Sequence, residues 1–421
     1  MGKLAAASGS GERRRISVLT HIFPSRSETF VRNHVLGLAQ RNYSVTVISR
    51  QCGSDMRPEE IAGLDRAGVH RLYTGGRSSR LGFLKKSAVA LFRKPSVHEK
   101  MLNPAPWSRR QWVGVQDTIR LVNSLAPDLV HVHFGTIAAR LVALINDAGR
   151  QVPMVVTWHG YDANAVPKKR GSGVYKQLFD SNAQHTVGSE FVGSVLLALG
   201  AKPENLSVVP MGVDPAFFTY RSRKMIQGAA LRVLSVGRLD DMKDHGTLIE
   251  AIGLLKSQGI PVELRIIGEG SLRSRLTKQI ASASLEAQVH LLGARTSAEI
   301  VQEMHDAHVF ALAGRITEGG KVESQGVVFA EAQATGLPVV ACDVGGVSGS
   351  LVHGETGLLC PAGDVPAIAA AIAGFWKNPG LIDEFGRRGR QLVETRFSLD
   401  AMFAGFERVY DRAARVPSRI G

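Results

Sequence analysis

The feature that most constrains this chain is a repeated alternation of short apolar runs with segments of helical pattern. From Arg15, the run ISVLTHIF ends at Pro24 and is followed by the helix-compatible SETFVRNHVLGLAQRN and a second run, SVTVISR. Short apolar runs separated by helical segments are typical of parallel strands joined by crossover helices. The rhythm continues through DLVHVHF, PMVVTWHG, Thr186–Ser189 and Leu206–Val209.

A second series begins at LRVLSVGRL and continues through VELRIIGEG, VHLLGA, HVFALAG and PVVACDVGG. A chain of 421 residues is also too long for one ordinary core. We therefore predict an α/β protein with two Rossmann-like, doubly wound, parallel-sheet domains. The predicted segments are a disordered N-terminus at 1–12, an N-terminal domain at 13–218, a linker at 219–229, a C-terminal domain at 230–398 and a C-terminal helix at 399–421.

The formal net charge of +14 calls for an acidic partner or an acidic surface. Nucleic acid is disfavoured, because the sequence has no recognisable binding motif and its aromatic content of 6% leaves little capacity for stacking on bases. An anionic membrane leaflet, or a substrate with a polyprenyl diphosphate, suits the charge better.

Residues 80–94, RLGFLKKSAVALFRK, combine apolar residues at helical spacing with five cations. One interpretation is a surface helix packed on its own domain. The other is an amphipathic helix that lies in the interface of a membrane. The sequence alone leaves both open.

The three cysteines, Cys52, Cys342 and Cys360, lie far apart without a C-x-x-C spacing, so neither a disulfide framework nor a zinc site is expected. The N-terminal apolar run is too short for a signal peptide, and no segment approaches the roughly 18 apolar residues of a membrane span. We expect a cytoplasmic protein, peripheral on the inner face of the cell membrane.

Two glutamates flank a glycine turn and a helix start in ESQGVVFAEAQATGLPVV, from Glu323 to Val340. Gly326 allows the backbone to turn closely past a ligand, and the helix that opens at Val327 offers free N–H groups to a diphosphate. Glu331 on this helix is placed to accept two ribose hydroxyls, and Glu323 to face the sugar. Although glutamates on helices are usually just solvated, the helix stop and buried strand that follow favour a nucleotide-sugar site.

Two cations follow the strand LRVLSV, Arg238 and Lys243 in GRLDDMK. Open α/β sheets bind ligands at the carboxyl ends of their strands, and a departing diphosphate needs positive charge there. The chain has no Asp-x-Asp sequence, so we assign the diphosphate to Arg238 and Lys243 and predict no metal and no cofactor besides the nucleotide sugar.

The ordered segments resemble the family-four retaining glycosyltransferases of the GT-B fold, particularly their bacterial exopolysaccharide, colanic-acid-like branch. Besides the Glu323 segment, the similar pieces are HIFPSRSETFVRNHVLGLAQ, HVHFG, TWHGYD, VVPMGVD, SVGRLDDMK, IIGEGSLR and VHLLGA. The resemblance implies a hexose-type transfer, with retention, from a nucleotide diphosphate sugar to a lipid-linked glycan. It also implies two domains that face each other across a cleft and a C-terminal helix that crosses back to the N-terminal domain.

The resemblance also implies roles for single residues. His159 in TWHGYD corresponds to the family's active-site histidine, and Gly268 to a turn near the nucleotide. Ser27, Glu28 and Thr29 resemble the acceptor loop of this branch, although Ser27 could equally be a helix N-cap. Asp244 stands where the family commonly has glycine, which could reduce close backbone approach or partly neutralise Lys243.

Other functions are weighed against this one. We place the side chains of His131 and His133 on opposite faces of one strand, which excludes a shared metal ion, and interpret them as structural or cleft-lining. The missing third glycine after Gly268-Glu269-Gly270 disfavours an oxidoreductase, and the missing G-x-S-x-G disfavours a serine hydrolase. A nucleotide-sugar 2-epimerase on the same fold and a non-catalytic nucleotide-sugar-binding subunit remain alternatives.

Overall fold

A computed structural model describes residues 13–25, 28–53, 58–74, 118–145 and 152–415. The chain divides into two compact units. The first comprises Met1–Thr157, Val174–Gln184 and Val409–Gly421, and the second comprises Trp158–Gly173 and His185–Arg408.

The first sheet has seven strands in the order β3-β2-β1-β4-β5-β6-β7. Strand β1 lies between β2 and β4, both in parallel pairing. Its residues from Ile16 to Thr20 are all buried, as expected where helices cover both faces of a parallel sheet. The elements up to β7 are β1 (Arg15–Ile22), α1 (Thr29–Gln40), β2 (Ser44–Gln51), α2 (Pro58–Arg66), β3 (His70–Tyr73), β4 (Leu129–His133), α3 (Gly135–Ile145), β5 (Met154–Trp158), α4 (Val166–Arg170), α5 (Lys176–Phe179), β6 (Gln184–Val187), α6 (Glu190–Ala198) and β7 (Leu206–Val208).

The second sheet has six strands in the order β10-β9-β8-β11-β12-β13. This is the Rossmann order, in which the direction of winding reverses between β8 and β11 and opens a crevice at the carboxyl ends of the strands. The strands and helices from β8 onward are β8 (Leu231–Val236), α7 (His245–Ser257), β9 (Val262–Ile267), α8 (Arg273–Ser282), β10 (Val289–Gly293), α9 (Ser297–Asp306), β11 (Val309–Leu312), α10 (Val327–Ala334), β12 (Val339–Cys342), β13 (Gly357–Cys360), α11 (Val365–Lys377), α12 (Gly380–Leu392) and α13 (Leu399–Arg415).

Strand β11 shows why the strands of this sheet have continuous apolar sequences. Val309 and Ala311 belong to the core on one face of the sheet, and Phe310 and Leu312 belong to the core on the other face. All four side chains are buried, because helices cover both faces of a doubly wound parallel sheet. The predicted fold class is confirmed.

Every strand predicted from the sequence is present, and within the described residues two short strands were missed. These are β3 (His70–Tyr73), an edge strand of the first sheet, and β13 (Gly357–Cys360), an edge strand of the second. Strand β3, with the sequence HRLY, has no apolar run and is exposed at both ends. Strand β13, GLLC, begins with glycine, which is rare in strands, and its two leucines are only partly buried. The predicted boundaries at 13–218, 219–229, 230–398 and 399–421 stay predictions.

Cys342 and Cys360 are not far apart in space. They are register partners on the neighbouring strands β12 and β13, a proximity that their separation in sequence conceals, and both are free, buried thiols. Burial raises the pKa of Cys342 to about 12 and that of Cys360 to about 11. Within the described ranges, no helix has the length and apolar character needed to cross a membrane.

Candidate active site

Lys243 and Glu323 form an ion pair that joins two sequence-predicted residues 80 positions apart. Lys243 lies in the loop after β8, and Glu323 precedes α10 in the connection that follows β11. These two loops emerge on either side of the point where the strand order reverses, so the fold itself brings the two residues together. Their side chains are only 14% and 15% exposed.

The pKa of Glu323 lies below its ordinary value of 4.5. Burial alone would raise it, but the charge and hydrogen bond of Lys243 and the backbone N–H groups of Ser324 and Gly326 together favour the carboxylate. The sequence assigned Lys243 to the diphosphate and Glu323 to the sugar. In the structure, each of the two side chains is the other's partner.

The glycine turn and the helix that follow have the predicted geometry. Gly326 is the N-cap of α10, with φ of 77° in the left-handed region, where a Cβ would come within 2.5 Å of the Phe329 ring. Val327 is the first helical residue, and Glu331 lies one turn further along. The helix ends at Thr335, and the chain continues into the buried parallel strand β12.

Glu331 is a carboxyl group close to half ionisation at neutral pH. Burial raises its pKa from 4.5 to about 7, and the positive charge of Lys243 opposes that rise. A carboxylate kept in such surroundings gives up solvation, which a ligand's hydroxyl groups could restore. Strongly perturbed carboxyl groups in a crevice are typical of functional sites.

Arg238 is close to the site but less enclosed than Lys243. Its side chain is 69% exposed and forms an ion pair of 3.2 Å with Asp240, whose Oδ1 also accepts a hydrogen bond from the backbone N–H of Lys243. Asp240 therefore fixes the loop on which both predicted phosphate ligands lie. Gly268 lies against the same loop, since a Cβ there would collide with the carbonyl oxygen of Gly237.

Asp244 occupies a position that suits glycine, with φ of 46° and ψ of 47°. Aspartate tolerates this left-handed region better than most residues, which explains how it replaces the family's glycine. Its Oδ2 accepts a hydrogen bond from the Thr247 hydroxyl at 2.8 Å and lies 4.0 Å from Nε of Arg315. Its carboxylate thus has partners other than Lys243.

Arg315 is a residue that the sequence did not single out. Its guanidinium donates to the carbonyl and the carboxylate of Asp241 at 3.0 and 3.2 Å, and its backbone N–H donates to the carbonyl of Met242 at 3.0 Å. The loop after β11 thereby holds the two residues that precede Lys243. Only the tertiary structure reveals this link, since nothing distinguishes Arg315 from other arginines in sequence.

His159 belongs to the same compact unit as Glu323 and lies near it. Its backbone N–H donates to Oδ1 of the buried Asp162 at 3.1 Å, and its carbonyl accepts a hydrogen bond from Ser324 at 3.3 Å. Gly160 is required at the turn, because φ is 91° and a Cβ would come within 2.6 Å of Cβ of Ser324. The sequence overlooked Asp162 and Ser324, although both are within the motifs it quoted.

Two of the three predicted acceptor residues, Glu28 and Thr29, are described and lie in the first unit at the start of α1. Ser27 is outside the described residues, and Thr29 is the exposed first residue of α1. Glu28 occupies the N-cap position without a capping side-chain hydrogen bond. Its Oε2 lies 3.4 Å from the Thr20 hydroxyl, and burial raises its pKa. His21, which the sequence did not select, is 5.6 Å from the Phe134 ring, and burial with nearby arginines lowers its pKa to about 4.

The placement of His131 and His133 on opposite faces of β4 was wrong. Alternate residues of a strand share one face, so positions two apart point the same way. Their rings are stacked with centroids 4.9 Å apart, and their ring nitrogens lie within 4.8 Å of each other and of those of His34. The geometric argument against a shared metal ion therefore fails.

Hydrogen bonds within the protein nevertheless occupy the ring nitrogens of His34 and His131. His34 is bonded through Nδ1 to His133 at 2.9 Å and through Nε2 to the Tyr410 hydroxyl at 2.8 Å. His131 is bonded through Nδ1 to the same hydroxyl at 2.8 Å and through Nε2 to Thr157 at 2.7 Å. A metal ion would have to displace at least one of these bonds. Burial lowers the pKa of His133 to about 3. We interpret the hydrogen-bonded cluster as a structural network.

Comparison with known proteins supports the class that the fold and site define. The family "Glycosyltransferase Family 4" matches residues 27–217, and "Glycosyl transferases group 1" matches residues 218–392. The chain belongs to the family-four glycosyltransferases. It is 29% identical to the amylovoran biosynthesis glycosyltransferase AmsK of Erwinia amylovora over 95% of this chain and 100% of that protein. It is 28% identical to the putative colanic acid biosynthesis glycosyltransferase WcaL of Salmonella typhimurium, over 92% of this chain and 97% of that protein.

Solved structures show the same fold. Anabaena Alr3699/HepE, crystallised with UDP and glucose, superimposes with a TM-score of 0.70 over 95% of this chain and all of that chain, at 17% sequence identity. The resemblance to the GT-B glycosyltransferases and to their exopolysaccharide branch is confirmed.

Proposed function

We propose that this protein is a retaining, metal-independent hexosyltransferase that transfers a sugar from a nucleotide diphosphate sugar to a lipid-linked glycan in exopolysaccharide biosynthesis. The observation that carries the proposal is the arrangement of Lys243, Glu323 and Glu331 around the start of α10 at the reversal of the strand order. The names of AmsK and WcaL support an exopolysaccharide product. The HepE complex supports a UDP-sugar type of donor.

Each residue has a distinct part in the proposed reaction. Lys243 and Arg238 bind the diphosphate as fixed cations, and the N–H groups at Gly326 and Val327 add hydrogen bonds. Glu331 accepts the ribose hydroxyls, while Glu323 and His159 orient the transferred sugar. The acceptor oxygen bonds to the anomeric carbon as the bond from that carbon to the phosphate oxygen breaks. The leaving phosphate oxygen takes the acceptor's proton on the same face of the sugar, which gives retention.

A thermal-shift screen with UDP-, GDP-, ADP- and dTDP-sugars tests the donor site. A ligand at 100 times its dissociation constant stabilises the folded state by about 2.7 kcal/mol, so one nucleotide should raise the melting temperature well above the others. Assay of the selected donor with a lipid-linked glycan extract should then show both release of nucleoside diphosphate and gain of sugar. Release of nucleoside diphosphate without sugar gain would instead indicate the epimerase, and binding without turnover the non-catalytic subunit.

Turnover is expected to survive EDTA. Lys243 and Arg238 supply the positive charge that a metal ion provides in transferases with an Asp-x-Asp sequence, which this chain lacks. Rates measured after EDTA treatment should stay within about twofold of the untreated enzyme. Complete loss that magnesium or manganese restores would show that the diphosphate charge is met differently.

We also propose that the protein binds anionic membranes through residues 80–94, which lie outside the described residues. Each cation near an anionic leaflet contributes on the order of 1 kcal/mol, so neutralising Lys85, Lys86, Arg93 and Lys94 together should release the protein from anionic liposomes at low salt. A second variant neutralises only Lys85 and Lys86. Its matched control neutralises two exposed cations of α8, Arg275 and Lys278. Equal co-sedimentation of all variants would exclude this segment as the membrane contact.

A further inference from the structure

Gln325 is a buried side chain that connects the segment around Glu323 to a distant loop. It is 5% exposed, and its amide makes two hydrogen bonds with the backbone of one residue, Met211. Its Nε2 donates to the Met211 carbonyl at 3.0 Å, and its Oε1 accepts from the Met211 N–H at 2.8 Å. Space for the amide depends on Gly188, where a Cβ would come within 2.5 Å of Oε1.

Ser324 makes the second connection, to the loop that carries His159. Its hydroxyl donates to the His159 carbonyl at 3.3 Å, while its own carbonyl accepts a hydrogen bond from the Ser189 hydroxyl. Ser189 is the N-cap of α6, where its Oγ also accepts from the N–H of Val192. The side chains of Ser324 and Gln325 therefore bond to loops that precede β8, the first strand of the second sheet.

These contacts fix Glu323 from its C-terminal side, and Lys243 fixes its carboxylate. The loops involved lie within one compact unit, so the bonds set the distance between Glu323 and His159 in that unit. A paired donor and acceptor specify both direction and register, which an apolar side chain of similar size would not. Buried polar pairs of this kind are retained where geometry matters, because an unmatched partner is costly.

We propose that Gln325 and Ser324 are positioning residues that hold Glu323 in register with His159 for sugar transfer. The inference rests on the roles proposed above for those two residues. Neither Gln325 nor Ser324 is assigned to the substrate: each acts through the loop it anchors. Displacement of a reacting group by about 1 Å can cost on the order of a hundredfold in rate. Loss of these anchors should therefore appear in turnover and leave nucleotide binding unchanged.

Gln325→Glu and Gln325→Met test the proposal. The glutamate keeps the shape but sets an oxygen against the Met211 carbonyl, and the methionine removes both hydrogen bonds. With folding verified by melting temperature, kcat should fall by about 10- to 100-fold in each variant, while the Kd of the nucleoside diphosphate stays within about threefold. Ser324→Ala should lower kcat less, because it removes a single longer bond. Gln302→Met and Ser282→Ala are controls, since each of these exposed side chains donates a hydrogen bond within its own helix.

A double-mutant cycle separates positioning from general structural support. If Gln325 acts through Glu323, Gln325→Met should cost little further turnover in a Glu323→Gln background. Full kcat in the folded Gln325 variants, a parallel loss of nucleotide affinity, or additive losses in the double variant would each overturn the inference. Full turnover of Glu323→Gln alone would instead refute the proposed role of Glu323, so the two failures are distinguishable.

Discussion

Glu323→Gln is expected to lower turnover by about 100-fold or more while free nucleoside diphosphate binds as well as to the parent or more tightly. Glu323 is proposed to orient the sugar, and interactions made at the reacting centre appear mainly in kcat. Its carboxylate also pairs with Lys243. Removing that negative charge leaves Lys243 available to the diphosphate, so the affinity for the nucleotide should not fall. Calorimetry with nucleoside diphosphate and steady-state kinetics with the full donor measure the two effects separately.

Glu303→Gln is the matched control for this experiment. Glu303 on α9 pairs with Arg265 through two hydrogen bonds of 2.8 Å and is 18% exposed, which is similar to Glu323. The same chemical change there should alter stability but neither kcat nor nucleotide affinity. If Glu323→Gln weakens nucleoside diphosphate binding tenfold while kcat is preserved, Glu323 serves the nucleotide and its assignment to the sugar is wrong.

Glu331→Gln is expected to weaken nucleoside diphosphate binding by about 10- to 100-fold at pH 8. The reason is a net loss equivalent to about one charge-assisted hydrogen bond to ribose, which contributes roughly 1.5–3 kcal/mol, since the amide oxygen of glutamine still accepts a neutral hydrogen bond. The parent's affinity should fall as the pH drops below about 7, where Glu331 becomes protonated, and the two proteins should then converge. Calorimetric titrations from pH 6 to pH 8 measure this convergence. Equal affinity at pH 8 would remove the donor-site assignment.

The same substitution should stabilise the protein at alkaline pH. The folded-state pKa of Glu331 is about 7 against an ordinary value of 4.5, so the folded protein binds this proton more tightly than the unfolded chain. Its contribution to stability is complete below about pH 4.5 and is lost as the pH rises through about 7. Glutamine is neutral throughout, so the variant should melt several degrees above the parent at pH 8 and close to it at pH 5. A lower melting temperature at pH 8 would contradict this account.

The fold was predictable because its signals are local. Short apolar runs such as VFAL in β11 are buried on both faces, and their alternation with helices is written along the chain. The two edge strands β3 and β13 were missed because HRLY has no apolar run and GLLC begins with glycine and is only partly buried at its leucines. The error at His131 and His133 was of a different kind, since the two-residue period of a strand was applied in the wrong sense.

The candidate site was predictable only as a set of residue types. The sequence by itself determined the glycine turn at Gly326, the helix that carries Glu331, and the loop with Lys243, because each depends on the conformation of a few consecutive residues. Only the tertiary structure decided that Lys243 pairs with Glu323, that Gln325 holds Met211, and that burial brings the pKa of Glu331 to about 7. Those features join residues some 80 or more positions apart or depend on solvent exclusion, and both arise only when the loops of a folded sheet meet.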